Sequence, residues 1–194
     1  MNYPTKVRIK DEEYPINTDF RIAIECNSIA KNEDIGNYER ALAVIYKLFG
    51  EKGLKDEKNH CELLELAQQY LSMGKEIVED VNEDEIDMDF EQDMDYIEAS
   101  FMSDYNIDLA SIEMHWWKFY NLISGLSNSE MGNCCVLNRV RNLRNYDTTQ
   151  IKDVKERTKI EKAKQQIALK KKEKKLSKEQ EESIERFNKL AGIS

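Results

Sequence analysis

Met114-His115-Trp116-Trp117-Lys118-Phe119-Tyr120-Asn121-Leu122-Ile123-Ser124-Gly125-Leu126 is the most apolar and aromatic segment of the chain, and it marks the protein as mainly helical. With Leu109 and Ile112 before it, the residues Trp116, Phe119, Ile123 and Leu126 recur at the spacing of one helical face. Met114, Trp117 and Leu122 widen the apolar arc, which predicts a central, mostly buried helix capped by Asp108 or Ser111. Trp116 lies on the stripe and is expected in the core, because large aromatics dominate burial energetics. Trp117 lies beside the stripe and is expected to line an interface. An aromatic platform for bases or for a proline-rich segment is the competing reading of His115, Trp116, Trp117, Phe119 and Tyr120. The periodicity shared with Ile112 and Ile123 favours the core.

Working outward toward the N-terminus, Met94, Ile97, Phe101 and Tyr105 predict a helix of about three turns, closed by Tyr105-Asn106-Ile107-Asp108. Leu63, Leu66, Ala67, Tyr70, Met73 and Ile77 form the stripe of another, over about residues 58–81, weakened by Gly74, where a bend or an end is expected. Tyr38, Leu42, Ile45 and Phe49 predict a helix from Asn37, with Gly50 as its stop. Ile22, Cys26 and Ile29 predict one more, opened by Thr18 or Asp19. From Thr5 to Asn17 the period changes: Val7 and Ile9 alternate with charges, as do Tyr14 and Ile16, so this segment reads as a hairpin turning near Lys10 to Glu12. Pro15 cannot donate to a ladder and belongs on an edge.

Toward the C-terminus, Val136, Leu137, Val140 and Leu143 suggest a short helix. Thr149 to Gly192 has high helix propensity over a thin stripe, Ile151, Val154, Ile160, Ala163 and Ile167. Ser177 with Gln180 resembles a capping box, and Ile184, Phe187 and Leu190 offer a last small face. The chain of 194 residues, with only 2 Pro and 7 Gly, disfavours a loop-rich sandwich or barrel. The expected class is mainly α (α+β): a helical bundle with a small N-terminal β-hairpin and a charged helical C-terminal extension. Residues 1–146 would be the core domain and residues 147–194 the extension, a pair of protruding or loosely docked helices.

The net charge of −9 conceals an asymmetry. Glu76 to Glu113 holds fifteen acidic residues and no Lys or Arg, whereas Arg139 to Lys175 holds fourteen basic against five acidic. Such a split points the basic part at an acidic surface in this chain, in a copy of it, or in a partner, against the blander reading of solvated runs. Residues 79–95 read as a mobile acidic loop if taken alone, since they carry little apolar surface. They lack the glycine of a calcium-binding EF-hand. Lys170, Lys171, Lys172, Lys174 and Lys175 join Trp117 as partner-binding candidates. Nucleic acid is disfavoured as their target, because no aromatics interleave with them and no base-reading module accompanies them.

No glycine-rich phosphate loop, zinc helix or nucleophile elbow is present in the sequence. His60 beside Cys61 cannot clamp a metal alone, and four cysteines at 26, 61, 134 and 135 form neither a disulfide framework nor a zinc pattern. The expectation is therefore no catalytic residue, no cofactor and no metal. No uncharged run approaches the ~18 residues of a membrane span, and no export signal opens the chain, so neither export nor membrane insertion is expected.

Three segments, Tyr14 to Arg21 (YPINTDFR), Tyr96 to Leu109 (YIEASFMSDYNIDL) and Met114 to Leu126 (MHWWKFYNLISGL), together resemble a family of proteins encoded just ahead of the tape-measure protein in long-tailed phages and prophages. The resemblance covers about residues 5–145, and it leaves out Gly132-Asn133-Cys134-Cys135 and the extension. It implies a tail-assembly chaperone in the cytoplasm of the bacterial host. Its partners would be the tape-measure protein and/or the tail-tube subunit, with self-association as a further expectation. The alternatives are a minor structural component of the tail, or a nucleic-acid-binding regulator using the basic tail.

Overall fold

The computed structural model describes residues 3–75, 86–128 and 134–170. A two-stranded antiparallel hairpin opens the chain, β1 Lys6–Ile9 and β2 Glu12–Pro15, in the register Val7 opposite Tyr14 and Ile9 opposite Glu12. That register puts Val7, Ile9 and Tyr14 on one face, where Ile9 and Tyr14 are fully buried. Lys6 and Arg8 occupy the other face and both bind Glu13, which holds its carboxyl down at about 2. Lys10 in the turn takes φ 52°, the left-handed conformation that a tight hairpin requires.

Seven α-helices follow among the described residues: α1 Phe20–Ala30, α2 Asn37–Lys55, α3 His60–Leu71, α4 Met94–Tyr105, α5 Trp116–Ser124, α6 Val136–Asn145 and α7 Val154–Ile167. Helix therefore dominates and strand is confined to the hairpin, as the two periodicities predict. Asp19 caps α1 by accepting the Arg21 amide at 2.9 Å. Gly50 breaks α2 rather than ending it, at φ 65° and ψ −160°. At that break the Leu48 carbonyl accepts the Asn17 amide at 2.8 Å, and Tyr14 donates to Asp56 just beyond α2. The hairpin is thus pinned to the kinked end of α2. The predicted stripe of α2 divides: Ile45 and Phe49 are buried with Val44 and Leu48, whereas Tyr38 is 65% exposed. Helical spacing identifies a face but not where the core beneath it stops.

The central helix is shorter than its stripe. It begins at Trp116, and Asp108 to Met114 is irregular, although Leu109, Met114, Trp116, Phe119, Ile123 and Leu126 are all buried. Two contacts from α1 account for this. Arg21 donates to the carbonyls of Leu109 and Ile112, and the chain at Asp19 pairs antiparallel with His115 through Phe20 N–H to Met114 (2.9 Å) and Trp116 N–H to Thr18 (2.8 Å). Backbone groups that a longer helix would use internally are committed to distant partners. His115 then serves as the N-cap, its Nδ1 accepting the Trp117 amide at 3.1 Å while Nε2 meets the Pro4 carbonyl at 2.9 Å.

Phe119 is the hub of the core. Its ring stacks on Phe20 (4.2 Å), Phe101 (5.3 Å) and Trp116 (6.0 Å). The adjacent tryptophans share a second task at the end of α3. Trp116 Nε1 donates to Leu71 at 3.0 Å and Trp117 Nε1 to Tyr70 at 2.9 Å, so two indoles bind carbonyls of the last helical turn, the Tyr70 carbonyl also accepting the Met73 amide at 3.1 Å. That end falls at Leu71, with Met73 and Gly74 at positive φ, so the chain does leave the helix at the expected glycine, and only the place of Met73 on the stripe is corrected. Its further part, Ile77 to Val81, lies outside the described residues. Asn106, left-handed at φ 52°, closes α4 as predicted.

The acidic stretch is more than a solvated run where it is described. Phe90 packs edge-on to Trp116 at 5.6 Å, and Asp93 is completely buried. Arg144 on α6 grips Asp93 through two bonds of 2.7 Å, donates to the Asp87 carbonyl at 2.8 Å, and donates through Nε to Ile167, the last residue of α7, at 2.7 Å. Arg141 pairs with Asp87 at 3.1 Å. Part of the charge asymmetry is thus satisfied within the chain, between the acidic stretch and α6.

Two mutational outcomes follow. Trp116→Ala should lower stability by about 3–5 kcal/mol in urea melts followed by circular dichroism, the usual cost of emptying a large aromatic site, and Trp117→Ala should cost less. Arg144→Ala should cost about 3–5 kcal/mol, because it strands the Asp93 carboxylate in the core, whereas the double variant D93A/R144A should be less destabilised than Arg144→Ala alone. Additive losses in the double variant would show that the pair is not coupled.

Candidate partner-binding surface

Trp117 is half-buried. Its ring stacks on Tyr70 at 6.1 Å and meets His115 and Tyr3 edge-on, each at 6.4 Å, so the side chain belongs to a small aromatic cluster beside the hairpin entrance. Its indole N–H is already engaged by Tyr70. What remains for a partner is ring surface rather than a hydrogen-bond donor.

Of the five candidate lysines, Lys170 is described, and Lys171, Lys172, Lys174 and Lys175 lie outside the described residues, as do the capping box at Ser177 and Gln180 and the face of Ile184, Phe187 and Leu190. Lys170 enters the structure through its backbone: its amide donates to Gln92 Oε1 at 2.8 Å, and its carbonyl accepts from Gln92 Nε2 at 3.2 Å. This reciprocal pair ties the segment after α7 to the acidic stretch.

The helix before it is a surface element. Asp153 caps α7 by accepting the amides of Lys155 and Glu156, at 2.8 and 3.0 Å. No residue of α7 is buried; Ile160, Ala163 and Ile167 are half-buried, and Val154 is 65% exposed. Of the thin stripe read from the sequence, Ile160, Ala163 and Ile167 are partly covered in a helix that contacts α6, whereas Val154 stands in solvent and Ile151 precedes the helix. Lys155, Arg157, Lys159 and Lys162 are exposed, with Glu156 and Glu161 between them, which gives α7 a basic outer side. Arg144 at Ile167 and Lys164 Nζ at the Tyr146 carbonyl (2.6 Å) hold the helix, so its attachment is largely polar.

Arg144, Asp93 and Gln92 were not singled out by sequence reasoning. The available signal was Arg141 and Arg144, spaced three apart on one short helix and opposite in sign to Asp87 and Asp93. Which arginine meets which carboxylate depends on the packing of α6 against α4, and periodicity does not supply that.

The remaining chemistry-bearing residues are structural in geometry. Burial pushes the Cys26 thiol up to about 12, far from a reactive thiolate. Cys135 caps α6, its sulfur accepting the Asn138 amide at 3.4 Å. His60 Nε2 meets the Leu54 carbonyl at 3.0 Å. Among the described residues no cluster of His, Cys, Asp and Glu is arranged to hold a metal ion. An open depression between the ends of α4 and α5 is lined by Asp104, Tyr105, Cys134 and Arg139. Two of its polar groups already have partners: Asp104 accepts the Ser127 amide, which lowers its carboxyl, and Tyr105 donates to Leu122 at 2.8 Å. No helix of the described residues is long and apolar enough to cross a membrane.

Comparison with known proteins gives one positive result. No curated protein and no solved structure matches the chain. The family model described as "Bacteriophage Gp15 protein" matches residues 2–169, a span that includes the hairpin, all seven helices and the Arg144 cluster. The chain therefore belongs to the Bacteriophage Gp15 protein family.

Proposed function

We propose that this protein is a tail-assembly chaperone of a long-tailed phage or prophage. It binds the tape-measure protein and/or the tail-tube subunit during tail morphogenesis in the host cytoplasm, and it performs no chemistry. The observation that carries the reading is membership of a bacteriophage family over residues 2–169, a span that takes in all three segments resembling tape-measure-linked proteins. The physical task suits such a fold. A tape-measure protein is long, helical and apolar, and its exposed stripes aggregate unless covered until tube subunits surround it. The surface helix α7 offers its basic outer side, Lys155, Arg157, Lys159 and Lys162, for charge complementarity with such a partner.

Co-expression of the full chain with each tail protein, followed by pull-down, tests the reading. The expected result is retention and solubilisation of the tape-measure protein, the tail-tube subunit, or both, weakening as salt rises because basic side chains contribute. Failure to retain or solubilise either one rejects it. Detection of the chain in purified particles by mass spectrometry would make it a structural component of the tail instead, and steeply salt-dependent DNA binding would make it a regulator.

A further inference from the structure

We infer that α2 carries a self-complementary face, on which a second copy of this chain packs antiparallel through Tyr38, Leu42 and Tyr46. These residues stand four apart and form one continuous ridge along the helix. Tyr38 is 65% and Tyr46 49% exposed, and Leu42 between them is half-buried. None of the three belongs to the core cluster or to the side chains packed against it. Ile35, also exposed, stands just before the helix. Single exposed apolar residues are ordinary, but a contiguous row of them marks an interaction surface. Tyrosine suits such a surface, because its ring can be covered while its hydroxyl stays in water at the rim.

The order of residues on this face points to a second copy as its occupant. The ridge reads the same in both directions, so turning one copy end for end lays Tyr38 against the other's Tyr46 at both ends and Leu42 against Leu42 at the twofold axis. The row beside it, Glu39, Ala43 and Lys47, is complementary to itself in the same sense. Small Ala43 leaves the groove between the two rows deepest at its middle, where the opposing Leu42 fits when i±4 ridges interdigitate at an interaxial angle of about −50°. Antiparallel pairing brings Glu39 to the other copy's Lys47 at each end, whereas parallel pairing would set Glu39 against Glu39 and Lys47 against Lys47. Glu39 is exposed and has no ion-pair partner among the described residues. Lys47 is bonded to Glu25 of its own copy, so in the pair it bridges two carboxylates. The ridge is about 12 Å long, too short for the ~800 Å² per partner of a standard interface, so the dimer is weak and dissociates on dilution.

Analytical ultracentrifugation of the full chain tests the pairing, from about 5 to about 500 µM, a range that brackets weak association. The expected result is a monomer–dimer equilibrium whose dissociation constant rises about a hundredfold in Tyr46→Glu, because each substitution acts twice in a symmetric interface. Circular dichroism melts check that this variant keeps the stability of wild type, as a change outside the core should. Register is read with a short bismaleimide on a chain carrying Cys61→Ser and Cys134→Ser, which removes the two thiols that are not buried. With Leu42→Cys added, that chain should cross-link to itself. With Tyr38→Cys or Tyr46→Cys added instead, a mixture of the two chains should cross-link much faster than either chain alone. A monomer at every concentration, or a dimer that survives Tyr46→Glu unchanged, overturns the proposal. Self-cross-linking of the Tyr38→Cys and Tyr46→Cys chains as fast as that of their mixture marks a parallel pair and also overturns it. Dimers that form only after removal of residues 171–194 would assign the ridge to the chain's own C-terminal segment, and a wild-type monomer that captures a tail protein through Tyr38 and Tyr46 would assign it to that protein; either result overturns self-pairing.

Discussion

The buried ion pair between Arg144 and Asp93 is the constraint from which the C-terminal half of the molecule takes its arrangement. Asp93 is wholly buried and the Arg144 side chain is 10% exposed, so each charge would be costly without the other. Together they are well satisfied. The guanidinium makes two bonds to the carboxylate and one each to the carbonyls of Asp87 and Ile167, while Asp93 also accepts the Asp89 amide at 3.0 Å. Replacing such a pair by apolar residues is often neutral, so its importance lies in placement rather than in net stability. It fixes the start of α4, the acidic stretch and α6 relative to one another, and it presents one remaining donor to the end of α7.

A second constraint does the equivalent work on the other side of the core. The two indoles at the start of α5 meet the last carbonyls of α3, and the Arg21 and Thr18 contacts hold the segment before α5 in an irregular path. Between these anchors the stacked rings of Phe20, Phe101, Phe119 and Trp116 fill the interior. The result is a core tied by long-range contacts, on which α7 lies as the least buried helix. That contrast makes α7 the helix expected to open first while the rest stays folded.

Much of this was legible because burial follows periodicity. The alternation of Val7, Ile9 and Tyr14 specified a hairpin, and Ile97, Phe101, Leu109, Trp116 and Phe119 were recognisable as core from spacing and size alone. The errors share one cause. Leu109 to Met114 keeps helical spacing and is buried at Leu109 and Met114, yet Arg21, about 90 residues earlier, claims its carbonyls. Tyr38 keeps the stripe of α2 but sits beyond the core. Asp93 looked like one more carboxylate in an acidic run, and only the position of α6 shows why it is buried. The partner-facing elements were the least legible, because an outer helix needs only propensity and a thin stripe, which many unrelated contacts would satisfy.

Native-state hydrogen exchange of the full chain, resolved by peptide, shows whether the core held by the Arg144–Asp93 pair and the stacked rings stays closed while the peripheral helix α7 opens. Amides of α7 should exchange through local opening, on the order of a hundredfold faster than those of α5 and α6, whose exchange should track global unfolding. Protection of α7 equal to that of α5, lost together with it as denaturant is added, would make α7 an integral part of the core instead.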